Sequence, residues 1–286
     1  MTKPGDQTKT LLKLQGISKI FSRGSIDEVA ALDNVSLDVK RGDFITVIGS
    51  NGAGKTTLLN LIAGIFPPEP GGKVVIDNRN VTGLREHQRA NCVGRVYQDP
   101  QIGTAAKMTI SENMSLALLR GQRRDLKVAV TKKRRVIYRE ALALLGLGLE
   151  DRLKTMVGVL SGGQRQALAL VMATLSRPSL LLLDEHTATL DPKTGRIVLE
   201  LSEMIITREK ITTLMVTHNM EVALRYGNRL IMMHKGRIIV DLNHSQRQNL
   251  KVSDLISAFE RASGEHFTDD TILLSTADSG TRPQAG

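Results

Sequence analysis

The spacing of apolar residues along this chain switches repeatedly between short extended runs and helical repeats. Leu12 to Leu14 reads as a short strand, Gly24 marks a break, and Leu32, Val35, Leu37 and Val39 give a second strand over 32–39. The turn Lys40-Arg41-Gly42-Asp43 leads into Phe44 to Ile48, whose near-continuous apolar run predicts a strand buried on both faces. Leu58, Leu59, Leu61, Ile62 and Ile65 then recur at helical spacing until Pro67-Pro68. Residues 73–77 and 93–97 read as further strands, the latter ending at Gln98-Asp99-Pro100. From about Thr109 to Leu147 the period is helical, through Met114, Leu116, Leu118, Leu119, Ala141, Leu142, Leu144 and Leu145, which predicts an inserted helical subdomain.

The second half alternates more regularly. Residues 161–175 read as a helix, Arg177-Pro178 as a turn and Leu180 to Leu183 as a strand. A helix over 195–206, a strand over 212–216 and a helix over 220–226 follow, and 230–233 with 237–240 form a hairpin around Lys235-Gly236. Such alternation predicts an α/β protein with a largely parallel sheet covered by helices on both faces. Beyond Asp241 the chain is polar, apart from an amphipathic helix over about 252–262, and its end, STADSGTRPQAG, carries no pattern. The expected division is a flexible 1–11, a main domain over 12–242 with the helical subdomain at about 101–165, and a C-terminal helix and disordered tail over 243–286.

Composition narrows the setting. No aliphatic run, Leu180 to Leu183 included, approaches the roughly 20 residues of a spanning helix, and the first ten residues hold no apolar signal region. Cys92 is the only cysteine, which excludes an internal disulfide and fits a reducing compartment. A formal charge of +10 admits an anionic partner: nucleotide, nucleic acid or acidic lipid. Arg120, Arg123, Arg124, Lys127, Lys132, Lys133, Arg134, Arg135 and Arg139 concentrate that charge against Asp125. No aromatic accompanies the run until Tyr138, so stacking platforms for bases are missing and no nucleic acid is expected. A solvated helix face is the plain reading, and attraction to acidic headgroups the alternative.

Three motifs carry chemistry. Gly49-Ser50-Asn51-Gly52-Ala53-Gly54-Lys55-Thr56-Thr57 fits G-x-x-x-x-G-K-[ST] between a buried strand and a helix. Bare backbone N–H groups there, summed with the helix dipole, cradle phosphate oxygens. Lys55 would meet the β- and γ-phosphates, and the Thr56 hydroxyl would ligate Mg²⁺. The run LLLLDE places Asp184 and Glu185 at the end of a doubly buried strand, where ligands of such sheets sit. Asp184 suits the metal shell, and Glu185 suits the water that attacks the γ-phosphate. Finally, Leu160 to Gln164 reads LSGGQ: Ser161 can cap the next helix, Gln164 can return the capping box, and Gly162 and Gly163 leave bare amides at a second phosphate-binding helix N-terminus.

LSGGQ ahead of the acidic strand, together with the glycine loop, resembles the nucleotide-binding subunit of ABC transporters over about Leu12 to Val240. The resemblance implies a P-loop NTPase (RecA-like) core, an N-terminal antiparallel β subdomain and an inserted ABC α-helical subdomain. It implies ATP and Mg²⁺, and a head-to-tail dimer in which Ser161 and Gly163 of one copy close on the γ-phosphate held by Lys55 of the other. Phe21, in ISKIF, falls where the family places an aromatic that stacks on adenine; a core phenylalanine is the alternative. Gln98, in VYQDP, matches the glutamine that reaches Mg²⁺ and the attacking water, and Asp191, in TLDP, the loop that crosses the dimer interface. His218, in VTHN, matches the histidine that contacts the γ-phosphate and fixes Glu185 and the water.

Two positions depart from the family pattern. His186 stands where proline is usual, either titrating near Glu185 or remaining a neutral variation, and Thr189 replaces a small residue of the interface loop. A stand-alone cassette of this kind implies a separate integral membrane permease at the cytoplasmic face of the inner membrane and, for an importer, an extracytoplasmic substrate-binding protein. DEHTATLDPKT and VTHNM resemble ATPases paired with branched-chain-amino-acid-like permeases, and the implied cargo is an amino acid or similar small nutrient. The alternatives are the ATPase of an exporter and a soluble ABC ATPase acting on nucleic acid or the ribosome. A P-loop kinase would leave LSGGQ unexplained.

Overall fold

The structure, a computed structural model, describes residues 9–122 and 130–265. Most of the expected flexible N-terminus, Arg123, Arg124, Asp125 and Lys127 of the basic segment, and the expected disordered tail lie outside the described residues.

Two sheets enclose one helix. Strands β1 (Thr10–Phe21), β2 (Val29–Lys40), β4 (Lys73–Ile76) and β5 (Arg79–Asn80) form an antiparallel sheet in the order β2-β1-β4-β5. Strands β3 (Phe44–Ile48), β6 (Val93–Val96), β7 (Leu180–Asp184), β8 (Thr212–Val216), β9 (Arg229–His234) and β10 (Arg237–Leu242) form the second, in the order β10-β9-β3-β8-β7-β6. All its pairings are parallel except β9 with β10. Helix α1 (Lys55–Ala63) lies between the sheets: Leu58, Leu59, Leu61 and Ile62 join Leu12 and Leu14 of β1, Val35 of β2, and Ile45 and Val47 of β3 in one core.

Period-2 geometry assigns a face to every residue of the buried strands. In β7, Leu180 and Leu182 belong to the α1-side core, and Leu181 and Leu183 to the opposite one. Asp184 therefore emerges on the α1 side, under the glycine loop. Arg89, at the end of α2 (Glu86–Arg89), closes the other end of α1: its guanidinium donates to the carbonyls of Leu61 and Ile62 at 2.9 and 2.8 Å. Burial lowers its pKa to about 10, and the dipole of the α1 C-terminus favours a cation there.

The opposite face carries α3 (Pro100–Gly103), α4 (Ile110–Leu118), α5 (Lys132–Ala143) and α6 (Gly162–Thr174). The helical stretch read over 109–147 is interrupted: α4 ends at Leu118, and the chain turns through Gly121, at φ 72, against Asn91, where a side chain would not fit. The buried Tyr138 hydroxyl meets Ser115 Oγ at 2.8 Å and ties α5 to α4. Lys132, Lys133, Arg135 and Arg139 are exposed on the outer side of α5.

Helices α7 (Pro192–Glu209), α8 (Met220–Arg225), α9 (His244–Arg247) and α10 (Val252–Ser263) complete the described chain. Leu255 and Phe259 of α10 pack on Met220, Leu230 and Met232, so the C-terminal helix docks on the α8 edge. The elements that periodicity did not signal, β5, α2, α3 and α9, have four residues or fewer. No helix among the described residues is long and apolar enough to cross a membrane.

Candidate functional site

The glycine loop between β3 and α1 takes its shape from what surrounds it. At Gly49 a Cβ would collide with the Met233 carbonyl, and at Gly54, which has φ 95 and caps α1, with the Ala31 carbonyl. Only glycine fits either place, and its absent side chain leaves the first amides of α1 bare toward the loop interior. Lys55 curls back over them, and its buried ammonium donates to Gly49 O at 2.7 Å and Ser50 O at 3.1 Å. Positive charge and the N-terminal amides of α1 thus converge on a space suited to phosphate.

Thr56 faces the acidic strand. Its hydroxyl donates to Asp184 Oδ1 at 3.2 Å, and the second carboxylate oxygen accepts from Arg95 Nη2 at 3.0 Å. Burial raises the Asp184 pKa, against the lowering by Arg95 and Thr56. One hydroxyl and one buried carboxylate form an oxygen-only set, which suits a hard divalent cation that keeps waters and phosphate oxygens in its shell.

Glu185 sits one residue on in a left-handed backbone conformation, φ 43, held by its N–H to Val216 O at 3.0 Å. Such strain in a residue with a side chain is tolerated where the surroundings fix it, and here it turns the carboxylate off the strand axis. Glu185 Oε2 lies 3.4 Å from His218 Nδ1, and the hydrogen bond from His218 lowers the carboxyl pKa. Two neighbouring carboxyls are therefore pushed in opposite directions, a separation typical of acid–base sites.

The second helix N-terminus is formed as the sequence indicates. Gln164 N–H donates to Ser161 Oγ and Ser161 N–H to Gln164 Oε1, both at 3.2 Å. A Cβ on Gly162 would lie 3.4 Å from Leu190, and one on Gly163 would strike Thr194, so this turn abuts the start of α7 rather than the glycine loop. Asp191 caps α7 by accepting from Thr194 N–H at 3.0 Å. No hydrogen bond joins Ser161–Gln164 to residues 49–57 among the described residues.

Two expected participants stand apart. Gln98 is exposed just past β6; its carbonyl accepts from Thr189 Oγ1 at 3.5 Å, and its amide has no hydrogen bond among the described residues. Phe21 is 38 % exposed and meets Phe66 edge-on at 5.3 Å, which rules out the core alternative. Its partner across the hairpin is Val29, two residues before the carbonyl that touches Gly54, so Phe21 lies at the end of the hairpin beside the loop. Arg95 is the residue that sequence reasoning missed; the signal was a charge in a strand whose neighbours Val93 and Val96 are buried.

His186 does not face Glu185, which corrects one of the two alternatives for it. It is buried under α7, its Nε2 is 3.0 Å from Ser202 Oγ, and Ser202 in turn donates to Val198 O. Ser202 must therefore accept from an Nε2–H, and burial lowers the imidazole pKa from 6.5 to about 4. With the folded pKa below the unfolded one, the unfolded chain binds the extra proton, so stability falls as pH drops from 6.5 toward 4, by about 3 kcal/mol in all. Denaturant titrations of wild type and His186→Leu across that window test this: the substituted chain should lose that part of the pH dependence. Parallel profiles would contradict it.

Comparison with known proteins shows the family. The family model described as ABC transporter matches residues 32–188. A tyrosine transport ATP-binding protein of Clostridioides difficile is 44% identical over 252 residues, 88% of this chain and 100% of the relative. The methionine import ATP-binding protein MetN of Mannheimia succiniciproducens is 33% identical over 277 residues, 95% of this chain and 76% of the relative. Among solved structures, a dimeric ATP-binding cassette in a post-hydrolysis state with ADP and Pi superposes with a TM-score of 0.70 at 30% identity, covering 82% of this chain and 99% of that one.

Proposed function

The chain belongs to the ABC transporter ATP-binding family and is an ATPase, and on that premise we propose that it energises a separate integral membrane permease as a nutrient importer. The relatives are named for tyrosine and methionine, so the proposed cargo is an amino acid or similar small nutrient, without restriction to branched chains. An extracytoplasmic substrate-binding protein would deliver it, and the ATPase would sit peripherally at the cytoplasmic face of the inner membrane. The proposed domain division is a main ATPase domain over 12–242 with its helical subdomain at about 101–165, followed by the C-terminal helix and tail.

One observation supports the mechanism above the rest: two helix N-termini suited to phosphate, at α1 and α6, lie beside different elements, with Ser161 and Gly162 open to solvent. Each molecule then offers two half-sites. In the proposed dimer, residues 49–57 of one copy hold the phosphates, and Ser161, Gly162, Gly163 and Gln164 of the other close over the γ-phosphate. Thr56, Asp184 and Gln98 would hold Mg²⁺, which supplies charge neutralisation of the phosphates. Phe21 would stack on adenine, Asp191 would cross the interface, and Glu185, steadied by His218, would take the proton from the attacking water.

Transport would follow from differential affinity. A γ-phosphate contacting both copies in the closed dimer alone favours that state, and hydrolysis removes the contact. Purification of the tagged chain from its own cells tests the reading. The expected companion is an integral membrane protein; recovery of ribosomes or nucleic acid with no membrane protein would favour the soluble alternative.

A further inference from the structure

Arg95 is built unlike the other buried arginine near α1. Arg89 is a structural arginine, with Nε, Nη1 and Nη2 all donating to backbone carbonyls. The Arg95 side chain is only 8% exposed, yet its one hydrogen-bond acceptor is Asp184 Oδ2, and its Nε and Nη1 are buried without partners among the described residues. The guanidinium rests 4.4 Å from the centre of the Tyr97 ring. A buried cation with two nitrogens unmet among the described residues is costly.

Strand geometry shows why it lies there. Arg95 pairs with Leu182 of β7, two residues before Asp184. Gly94 abuts the Ala173 carbonyl of α6, and Val96 packs in the core on that side, so Arg95 between them emerges on the α1 face, alongside Asp184 and Thr56. A unit positive charge is thus fixed against the carboxylate that also faces the Thr56 hydroxyl.

We infer that Arg95 is a positioning residue of the cation site: it holds Asp184 Oδ2, leaves Oδ1 as the oxygen presented beside Thr56, and by its fixed charge lowers the affinity of the site for the divalent cation. This rests on the reading of Thr56 and Asp184 as cation ligands. Where no cation is bound, the guanidinium balances the buried carboxylate, so the pocket does not depend on the metal to stay formed. Where a cation is bound, two like charges share one buried carboxylate, and their repulsion weakens metal binding. The expected consequence is a cation released more readily once its phosphate partners change.

The test measures ADP affinity by calorimetry on the full chain, once with EDTA and once with excess Mg²⁺. The ratio of the two affinities reports the coupling of metal to nucleotide without any turnover. Arg95→Met should raise that ratio about tenfold or more over wild type, a change of about 1.4 kcal/mol. Arg95→Lys keeps the charge while losing the fork, and should keep the ratio near the wild-type value. Should Arg95→Met fail to fold, Arg95→Gln, which is neutral and can keep one bond to Oδ2, carries the same expectation. A ratio unchanged or lowered in the neutral variant would overturn the inference. Wild type that bound no ADP under either condition would instead overturn the nucleotide-site reading beneath it.

Discussion

Glu185→Gln is expected to lower ATP turnover by about 10²-fold or more while ATP binding stays close to wild type, because a positioned base contributes about that much to such reactions. The carboxylate lies off the strand end in a left-handed conformation that its backbone bond to Val216 holds, and His218 favours its charged form. Glutamine has nearly the same shape, so the geometry survives and only proton acceptance is lost. Binding should survive too, since the Lys55 ammonium and the α1 amides lie on the glycine loop and are unaltered. Phosphate release under saturating ATP and equilibrium nucleotide binding check the two halves. Near wild-type turnover in the purified variant would remove Glu185 from the role of base.

Lys55→Met is expected to fail at the earlier step. Its ammonium is buried and held by Gly49 O and Ser50 O at the N-terminus of α1. Methionine, one atom shorter, keeps the apolar stem and most of the packing but removes the cation. A charge-assisted hydrogen bond to phosphate contributes about 1.5–3 kcal/mol, which corresponds to an ATP affinity lower by roughly 10- to 100-fold. Titration with a fluorescent ATP analogue reads this directly. Unaltered affinity would mean that phosphate is held elsewhere.

The two substitutions separate binding from chemistry, and the sequence already distinguishes them. Gly49, Gly54, Lys55 and Thr56 are legible because the chemistry demands those residue types at fixed spacing in one continuous stretch, where bulk is forbidden by Met233 and Ala31. The capping box of Ser161 and Gln164 is legible for the same reason: both partners lie within one helical turn. The period-2 and helical runs of β3, α1, β7 and β8 were likewise readable, since each is buried along its length or on a defined face.

What escaped the sequence depends on contacts between distant segments. Arg95 reads as an oddly charged strand residue until β6 is set beside β7 and its guanidinium meets Asp184. His186 reads either as a titratable neighbour of Glu185 or as a neutral variation until the backbone turn at Glu185 sends it beneath α7 to Ser202. The break between α4 and α5 turns on Gly121 meeting Asn91, 30 residues earlier in sequence, which no local period records. Gln98 and Phe21 were placed by family likeness rather than by pattern, and both lie exposed at the margins of the loop and strand ends.

The account depends on each molecule carrying two half-sites that complete one another only across a pair. Light scattering of purified Glu185→Gln, with ATP and then with ADP, measures this most directly. The mass should double with ATP and return to that of one chain with ADP. A strictly monomeric protein under saturating ATP, even in the presence of its membrane partner, would contradict it.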